Sequence, residues 1–256
     1  MAILLIDVGN TRIKWALVAA DGAADAAPGA WLESGSAALS ELSKLSERWR
    51  QLAVARILVS NVAGEHMQER LQTMLEIVFG AALRPHWFAS PPQLAGLRNG
   101  YREPAQLGCD RFAAALGAQR LFPQQTLLVV TCGTATTIDA VTADGVFSGG
   151  MILPGLGLMA TSLARSTAKL PHITDHVQVD TLFADNTDDA IISGCINAQV
   201  GAIERGFALA RQAAGPAVRC IVAGGSAALI APYLSIRHET VDNLVLIGLQ
   251  TAAAAI

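Results

Sequence analysis

One glycine-centred bend occurs twice in the chain, each time inside an apolar run: LLIDVGNTRIKWALV at residues 4–18 and LLVVTCGTATTIDAV at 127–141. With Gly9 placed over Gly133, Leu5 falls on Val129, Ile6 on Val130, Ala16 on Ala140 and Leu17 on Val141. Apolar positions coincide on both sides of the bend, the pattern of a β-hairpin used twice. Glycine lets a backbone approach a ligand closely, and successive N–H groups at such a bend converge into a pocket for an anion. Two facing pockets suit a polyphosphate.

A duplicated architecture fits the length, since 256 residues make either one large domain or two of ordinary size. Apolar residues are 52% of the chain and charged ones 15%, enough for a large core and a subunit contact besides. Much of the apolar share is alanine, so the mean hydropathy of +0.40 reflects tight helices rather than membrane spans. The most membrane-like stretch, 146–164, is interrupted by Gly149, Gly150, Pro154, Gly155 and Gly157, which is loop chemistry. The first apolar run stops at Asp7 with no basic lead or cleavage site, so a cytoplasmic protein is expected, with no membrane partner.

A net charge of −3 and only three lysines, Lys14, Lys44 and Lys169, give no basic face, and nucleic acid is not an expected partner. Cys109, Cys132, Cys195 and Cys220 are far apart without a CxxC, so reduced and mostly buried thiols are expected. His172 and His176 lie four apart, but Pro171 beside them argues against a helical metal pair.

The periodicity predicts a strand at Ile3–Ile6, a turn at Asp7–Thr11, a return strand at Ile13–Val18 and a loop at Ala20–Ala30. A helix over Ala37–Leu52, a buried strand at Ala55–Ser60, a helix at Glu65–Val78 and a strand at Arg84–Phe88 follow. Turns punctuate Pro91–Pro104 before a helix from about Asp110 to Leu121. The second half repeats the order: strands around 127–148, a glycine-rich loop, helices near 156–168 and 187–214, a strand at Arg219–Ala223 and a turn at Gly224–Gly225. RILVSN at 56–61 parallels RCIVAG at 219–224. The expectation is an α/β protein of two related lobes, 1–117 and 118–256, with a cleft between them.

Several side chains carry two readings. Asp7 is a carboxylate at the tip of an apolar strand, either a turn former or a charge kept for a ligand. Lys14 on the return strand either neutralises phosphate or is a solvated edge charge. Asp110, in GCDR at 108–111, is either an acid near a helix N-terminus, stabilised by the dipole, or a base at the lobe junction. Gly224 and Gly225 follow a buried strand, an arrangement common in α/β proteins that also leaves room for a nucleoside.

DVGNT at 7–11, NGYREPAQLGCDR at 99–111, GTATTID at 133–139, GGMILPG at 149–155, NTDDAIISG at 186–194 and AGG at 223–225 resemble type III pantothenate kinases in order and spacing over nearly the whole chain. That family belongs to the superfamily of acetate and sugar kinases and actin, so the resemblance implies two actin-like, ribonuclease H-like lobes around a nucleotide cleft. It implies ATP-dependent phosphorylation of pantothenate to 4′-phosphopantothenate, the first step toward coenzyme A, by a homodimer. Asp7 would hold magnesium, in part through water. Val8, Gly9, Asn10, Thr11, Arg12 and Lys14 would line the phosphates with Thr134, while Gly224 and Gly225 would sit by the adenosine. Asp110 would be the general base, and Tyr101, Gly108, Cys109, Arg111 and Thr187 would surround pantothenate; Tyr101 has simple packing as its other reading. Thr131 stands where the commoner form has an aspartate that helps bind an activating potassium or ammonium ion. A threonine offers only hydroxyl and carbonyl oxygens, so cation dependence stays open. Two alternatives follow from the same kinship: a nucleotide-binding accessory factor of transcription, and another small-molecule kinase of the superfamily.

Overall fold

The computed structural model describes residues 2–20, 27–166 and 182–256. The elements run β1 (Ala2–Val8), β2 (Arg12–Ala19), β3 (Glu33–Ala38), a 3-10 turn, α1 (Leu42–Trp49), β4 (Val54–Asn61), α2 (Glu65–Phe79), β5 (His86–Trp87), β6 (Gln93–Leu94), β7 (Leu97–Asn99), a second 3-10 turn and α3 (Cys109–Leu121). They continue as β8 (Thr126–Cys132), β9 (Ala135–Val141), β10 (Val146–Pro154), α4 (Leu156–Ser166), α5 (Thr187–Ala214), β11 (Val218–Ala223), α6 (Ala227–Ile230), β12 (His238–Thr240) and α7 (Leu244–Ala255). Packing divides the chain into two compact units, one of Met1–Gln124, Asp144–Ser148 and Asn243–Ile256, the other of Gln125–Ala143 and Gly149–Asp242.

In the first unit the strand order is β3-β2-β1-β4-β5. Alternation sorts the side chains: Leu4, Ile6, Val8, Ile13, Trp15 and Leu17 pack with Leu42, Leu45 and Trp49 of α1 and with Met67, Leu71 and Leu75 of α2. Trp15 meets Trp49 edge to face at 6.1 Å. The alternate residues of β1, Ile3 and Leu5, are buried too, since α3 and α7 pack on this sheet as well. A sheet covered on both faces explains the unbroken apolar run of β1.

Helices α3 and α7 cross backbone to backbone. A Cβ at Gly248 would lie 1.7 Å from the Ala113 carbonyl oxygen, and one at Gly117 would lie 2.4 Å from that of Leu244. Arg56 donates to the carbonyls of Ala253 and Ile256 at 3.2 and 3.0 Å, satisfying the last turn of α7. The start of α3, where the site lies, is thereby held by a helix from the far end of the sequence.

The other sheet has seven strands in the order β12-β11-β8-β9-β10-β7-β6, and its first five repeat the order of the five-stranded sheet. β11 runs parallel to β8 with Arg219 opposite Leu127, just as Arg56 lies opposite Ile3 in the first unit. The parallel between RILVSN and RCIVAG therefore holds in register. Leu128, Val130, Cys132 and Ile138 form the core of the second unit with α4 and with Ile192, Cys195, Ile196, Val200 and Ile203 of α5.

The duplication departs from the ungapped alignment after the bend. Three residues join β1 to β2, whereas Gly133 and Thr134 alone join β8 to β9. Val8 pairs with Ile13 and Cys132 with Thr136, so Trp15 corresponds to Ile138 and Ala16 to Asp139, not to Ala140. A slip of one residue inverts every side chain, and the hydrophobic face selects the shifted register.

Two element readings are corrected as well. Residues 33–38, in part assigned to a helix from Ala37, form β3 along β2, and the helix starts at Leu42. The stretch read as a glycine-rich loop at 149–154 is the second half of β10, with Gly149 at φ +128°. Residues 167–168 of a predicted helix, and Lys169, Pro171, His172 and His176, lie outside the described residues. Among the described residues no helix is long and apolar enough to cross a membrane.

Candidate active site

Asp7 is the penultimate residue of β1, set between Lys14 on β2 and Ser60 on β4. The bend predicted to begin at Asp7 begins two residues later, at Gly9, whose N–H donates to the Arg12 carbonyl at 3.0 Å and closes the hairpin. That N–H is engaged in the turn, so any anion at this bend falls to the exposed tip, Asn10 and Thr11. Arg12 is exposed and donates to the Ser36 hydroxyl at 3.0 Å. Asp7 keeps part of its surface open, yet protein crowds its carboxyl. Burial first, and then the charge of Asp110, push its pKa from 3.8 to about 7, with Lys14 pulling the other way.

Asp110 lies in the first turn of α3, after the N-cap residue Gly108. A Cβ on Gly108 would sit 2.7 Å from the Asp110 carboxylate oxygen, so the glycine is what lets that carboxylate fold back over the helix start. There it accepts the Arg111 N–H at 2.8 Å. Burial raises the Asp110 pKa, while the Arg111 backbone bond and guanidinium oppose the rise. The neighbouring Cys109 thiol packs 3.4 Å from the Ser60 hydroxyl and 3.5 Å from the Asn61 carbonyl, tying the start of α3 to the end of β4. Burial raises this thiol's pKa, with Asp110 and Asp7 adding to the rise. Two carboxylates thus converge, each disfavoured as an anion.

Arg111 is only 6% exposed. Its guanidinium donates to the Tyr101 hydroxyl at 2.8 Å and lies 5.6 Å from the ring centroids of both Tyr101 and Phe147. The Tyr101 N–H donates to the Asn99 side chain at 3.0 Å, and Asn99 also donates to the Pro104 carbonyl at 3.0 Å. Tyr101, Gly108, Cys109, Asp110 and Arg111 are thus brought together with Asp7 and Lys14 in the first unit. Sequence reasoning missed Ser60, Asn99 as an organiser, and Phe147. Phe147 lies 36 positions from Arg111 inside an apolar stretch, and no local signal separates it from a core residue.

In the second unit Gly133 donates to the Ala135 carbonyl at 2.9 Å, and Gly155 donates to that of Thr134 at 2.8 Å. A Cβ on Gly155 would lie 2.0 Å from the Gly133 oxygen, and one on Gly224, at φ +98°, 2.3 Å from the Cys132 oxygen. Both glycines are required by close backbone approach to this bend. A Cβ on Gly225 would meet nothing within 4 Å, so its vicinity is open. Thr131 ends up beside Ala223 and opposite Thr137 in the sheet. Thr187 is the exposed first residue of α5, after Asn186, whose side chain caps the Asp189 N–H.

A partly crowded acid beside a hairpin with an exposed tip, a second acid on a helix start and a fixed guanidinium can bind an anionic substrate, hold a divalent cation and accept a proton. The family model described as Type III pantothenate kinase matches residues 3–208. A relative bearing that name from Herminiimonas arsenicoxydans is 54% identical over 253 residues, covering 98% of this chain and 97% of its own. Among solved structures, one titled a conserved putative Baf family transcriptional activator from Campylobacter jejuni has a TM-score of 0.58 at 20% identity, covering 98% of this chain and 97% of its own. Another, titled a putative 2-dehydro-3-deoxygalactonokinase from Sinorhizobium meliloti, has a TM-score of 0.57 at 15% identity, each chain covered to 98%. These structures speak for a common fold alone.

Proposed function

The chain belongs to the type III pantothenate kinase family, and on that premise we propose that it transfers the γ-phosphoryl group of ATP to the primary hydroxyl of pantothenate, giving 4′-phosphopantothenate and ADP. The observation that carries this reading is the convergence of Asp7 and Asp110, two carboxylates close enough that the charge of one raises the pKa of the other. Phosphoryl transfer asks a protein to position its reactants and neutralise charge, and to take the proton of the attacking alcohol. Asp110 takes that proton as the new oxygen–phosphorus bond forms and the bond to the ADP oxygen breaks. Its raised pKa brings a carboxylate nearer to a useful base at neutral pH.

Asp7 fits a magnesium ion, because a crowded carboxylate held near 7 by burial and a like charge gains most from a cation. Magnesium is ordinarily held by one or two carboxylates together with phosphates and water, and here it would neutralise charge on the phosphates. Asn10, Thr11, Arg12, Lys14 and Thr134 are assigned to the phosphates by the family resemblance, and Gly224 and Gly225 to the adenosine. Arg111 and Tyr101 receive the pantothenate carboxylate and amide, and the family resemblance assigns Thr187 to the same substrate. Thr131 offers a monovalent cation only neutral oxygens, which supports weak binding of potassium or ammonium. Homodimerisation draws support from Met151, Ile152 and Leu158, apolar side chains exposed in the second unit. A cytoplasmic setting suits Cys132, Cys195 and Cys220, which are buried and unpaired.

The accessory-factor reading is not favoured: the kinase name comes from a relative 54% identical, whereas the activator title comes from a structure 20% identical. Coupled measurement of ADP release against a panel of alcohols tests the proposal. Release that depends on pantothenate supports it, and release that ignores pantothenate, or prefers a sugar, refutes it.

A further inference from the structure

We propose that Phe147 is a positioning residue for the pantothenate subsite, acting through Arg111; this deepens the pantothenate kinase reading and rests on it. Phe147 is fully buried, so it touches no substrate itself. Its ring lies 5.8 Å from that of Tyr101 at an interplanar angle of 65°, and the Arg111 guanidinium stands 5.6 Å from both centroids. An arginine otherwise samples many rotamers, and holding it still for a carboxylate costs conformational entropy at the moment of binding. Two ring faces and the Tyr101 hydroxyl, at 2.8 Å, settle that cost during folding.

The backbone fixes the clamp in turn. Gly100 donates to the Phe147 carbonyl at 2.9 Å, and a Cβ at Gly100 would come within 2.4 Å of that oxygen. Asn99 pairs with Phe147 across β7 and β10, and its side-chain oxygen accepts the Tyr101 N–H. The asparagine, glycine and tyrosine at 99–101 therefore act as one strap, which brings the Tyr101 ring to Arg111 by binding the main chain of Phe147. The glycine is demanded by that approach.

The test replaces Phe147 with mono-, di- and trifluorinated phenylalanine, which weaken the negative face of the ring at nearly constant shape, and with leucine. The KM for pantothenate should climb with each added fluorine and reach about 3- to 30-fold for leucine, the range of a desolvated cation–π contact. The KM for ATP and kcat should stay within about twofold, because an interaction made equally in ground and transition states moves KM alone. In an Arg111→Gln background, which removes the cation, the fluorine series should flatten. A flat pantothenate KM across the fluorinated proteins at unchanged melting temperature overturns the proposal and leaves Phe147 a packing residue. So does an equal loss in kcat/KM for both substrates. Absence of pantothenate-dependent turnover in the unsubstituted protein would instead strike the parent reading.

Discussion

Asp7→Asn should make the protein more stable at about pH 8 while it removes turnover. In the folded chain the Asp7 carboxyl titrates near 7, against an ordinary 3.8. The folded state therefore binds this proton more tightly than the unfolded state does. Stability falls as pH climbs from the lower value to the higher, because the unfolded carboxyl ionises first, and above about 7 the whole penalty is present. A rise of this size corresponds to at most about 4 kcal/mol. Asp7 retains some open surface and Lys14 attracts its anion, so solvent and the ammonium screen the penalty. About 2 kcal/mol is the working figure, or roughly 4–8 °C in melting temperature for a chain of this length. Melting curves of both proteins, without nucleotide or divalent cation, should separate progressively from about pH 4 to about pH 8, with the asparagine variant on top. Parallel curves, or an asparagine variant that melts lower at the alkaline end, would refute the reasoning. Magnesium and ATP together should close the gap from the other side, raising the native protein more than the variant.

Three further outcomes follow from the backbone and the second bend. Gly224→Ala should cost about 1–3 kcal/mol, from a left-handed backbone and a clash with the Cys132 carbonyl, whereas Gly225→Ala should leave melting unchanged and raise the KM for ATP. Gly248→Ala should lower melting further than Gly224→Ala, since its Cβ would meet Ala113 at 1.7 Å and force α7 off α3. Exchange of potassium for sodium should change turnover by less than about twofold, and Thr131→Asp should enlarge that ratio by supplying a charge.

The repeat was legible wherever burial imposed a pattern. β1, β8, β4 and β11 are covered on one or both faces, and their apolar runs align across the two halves in the register the sheets adopt. The lost residue in the second bend left no compositional mark, because Ala16 matches Ala140 as well as Leu17 matches Val141 by hydrophobicity alone; only the buried pairing of Trp15 and Ile138 with their helices decides it. β3 was unreadable because Ser34, Gly35 and Ser36 carry no alternation and owe their extension to pairing with β2. β10 was hidden by Gly149, Gly150 and Pro154, which read as loop formers but lie at a sheet position. The acids of the site announced themselves as charges in apolar settings, and Arg111 came with Asp110. The ring that holds Arg111, and the Ser60 hydroxyl beside Cys109, arrive from distant segments and look like ordinary core residues in the sequence.

Rapid-quench transfer of labelled γ-phosphate from ATP to pantothenate, in the native protein and in Asp110→Asn, bears most directly on the role of the paired acids. Labelled 4′-phosphopantothenate should form in the native protein, and its rate should drop by about 10²- to 10⁴-fold in a variant that still folds and still binds both substrates. Equal single-turnover rates would contradict a proton-accepting Asp110.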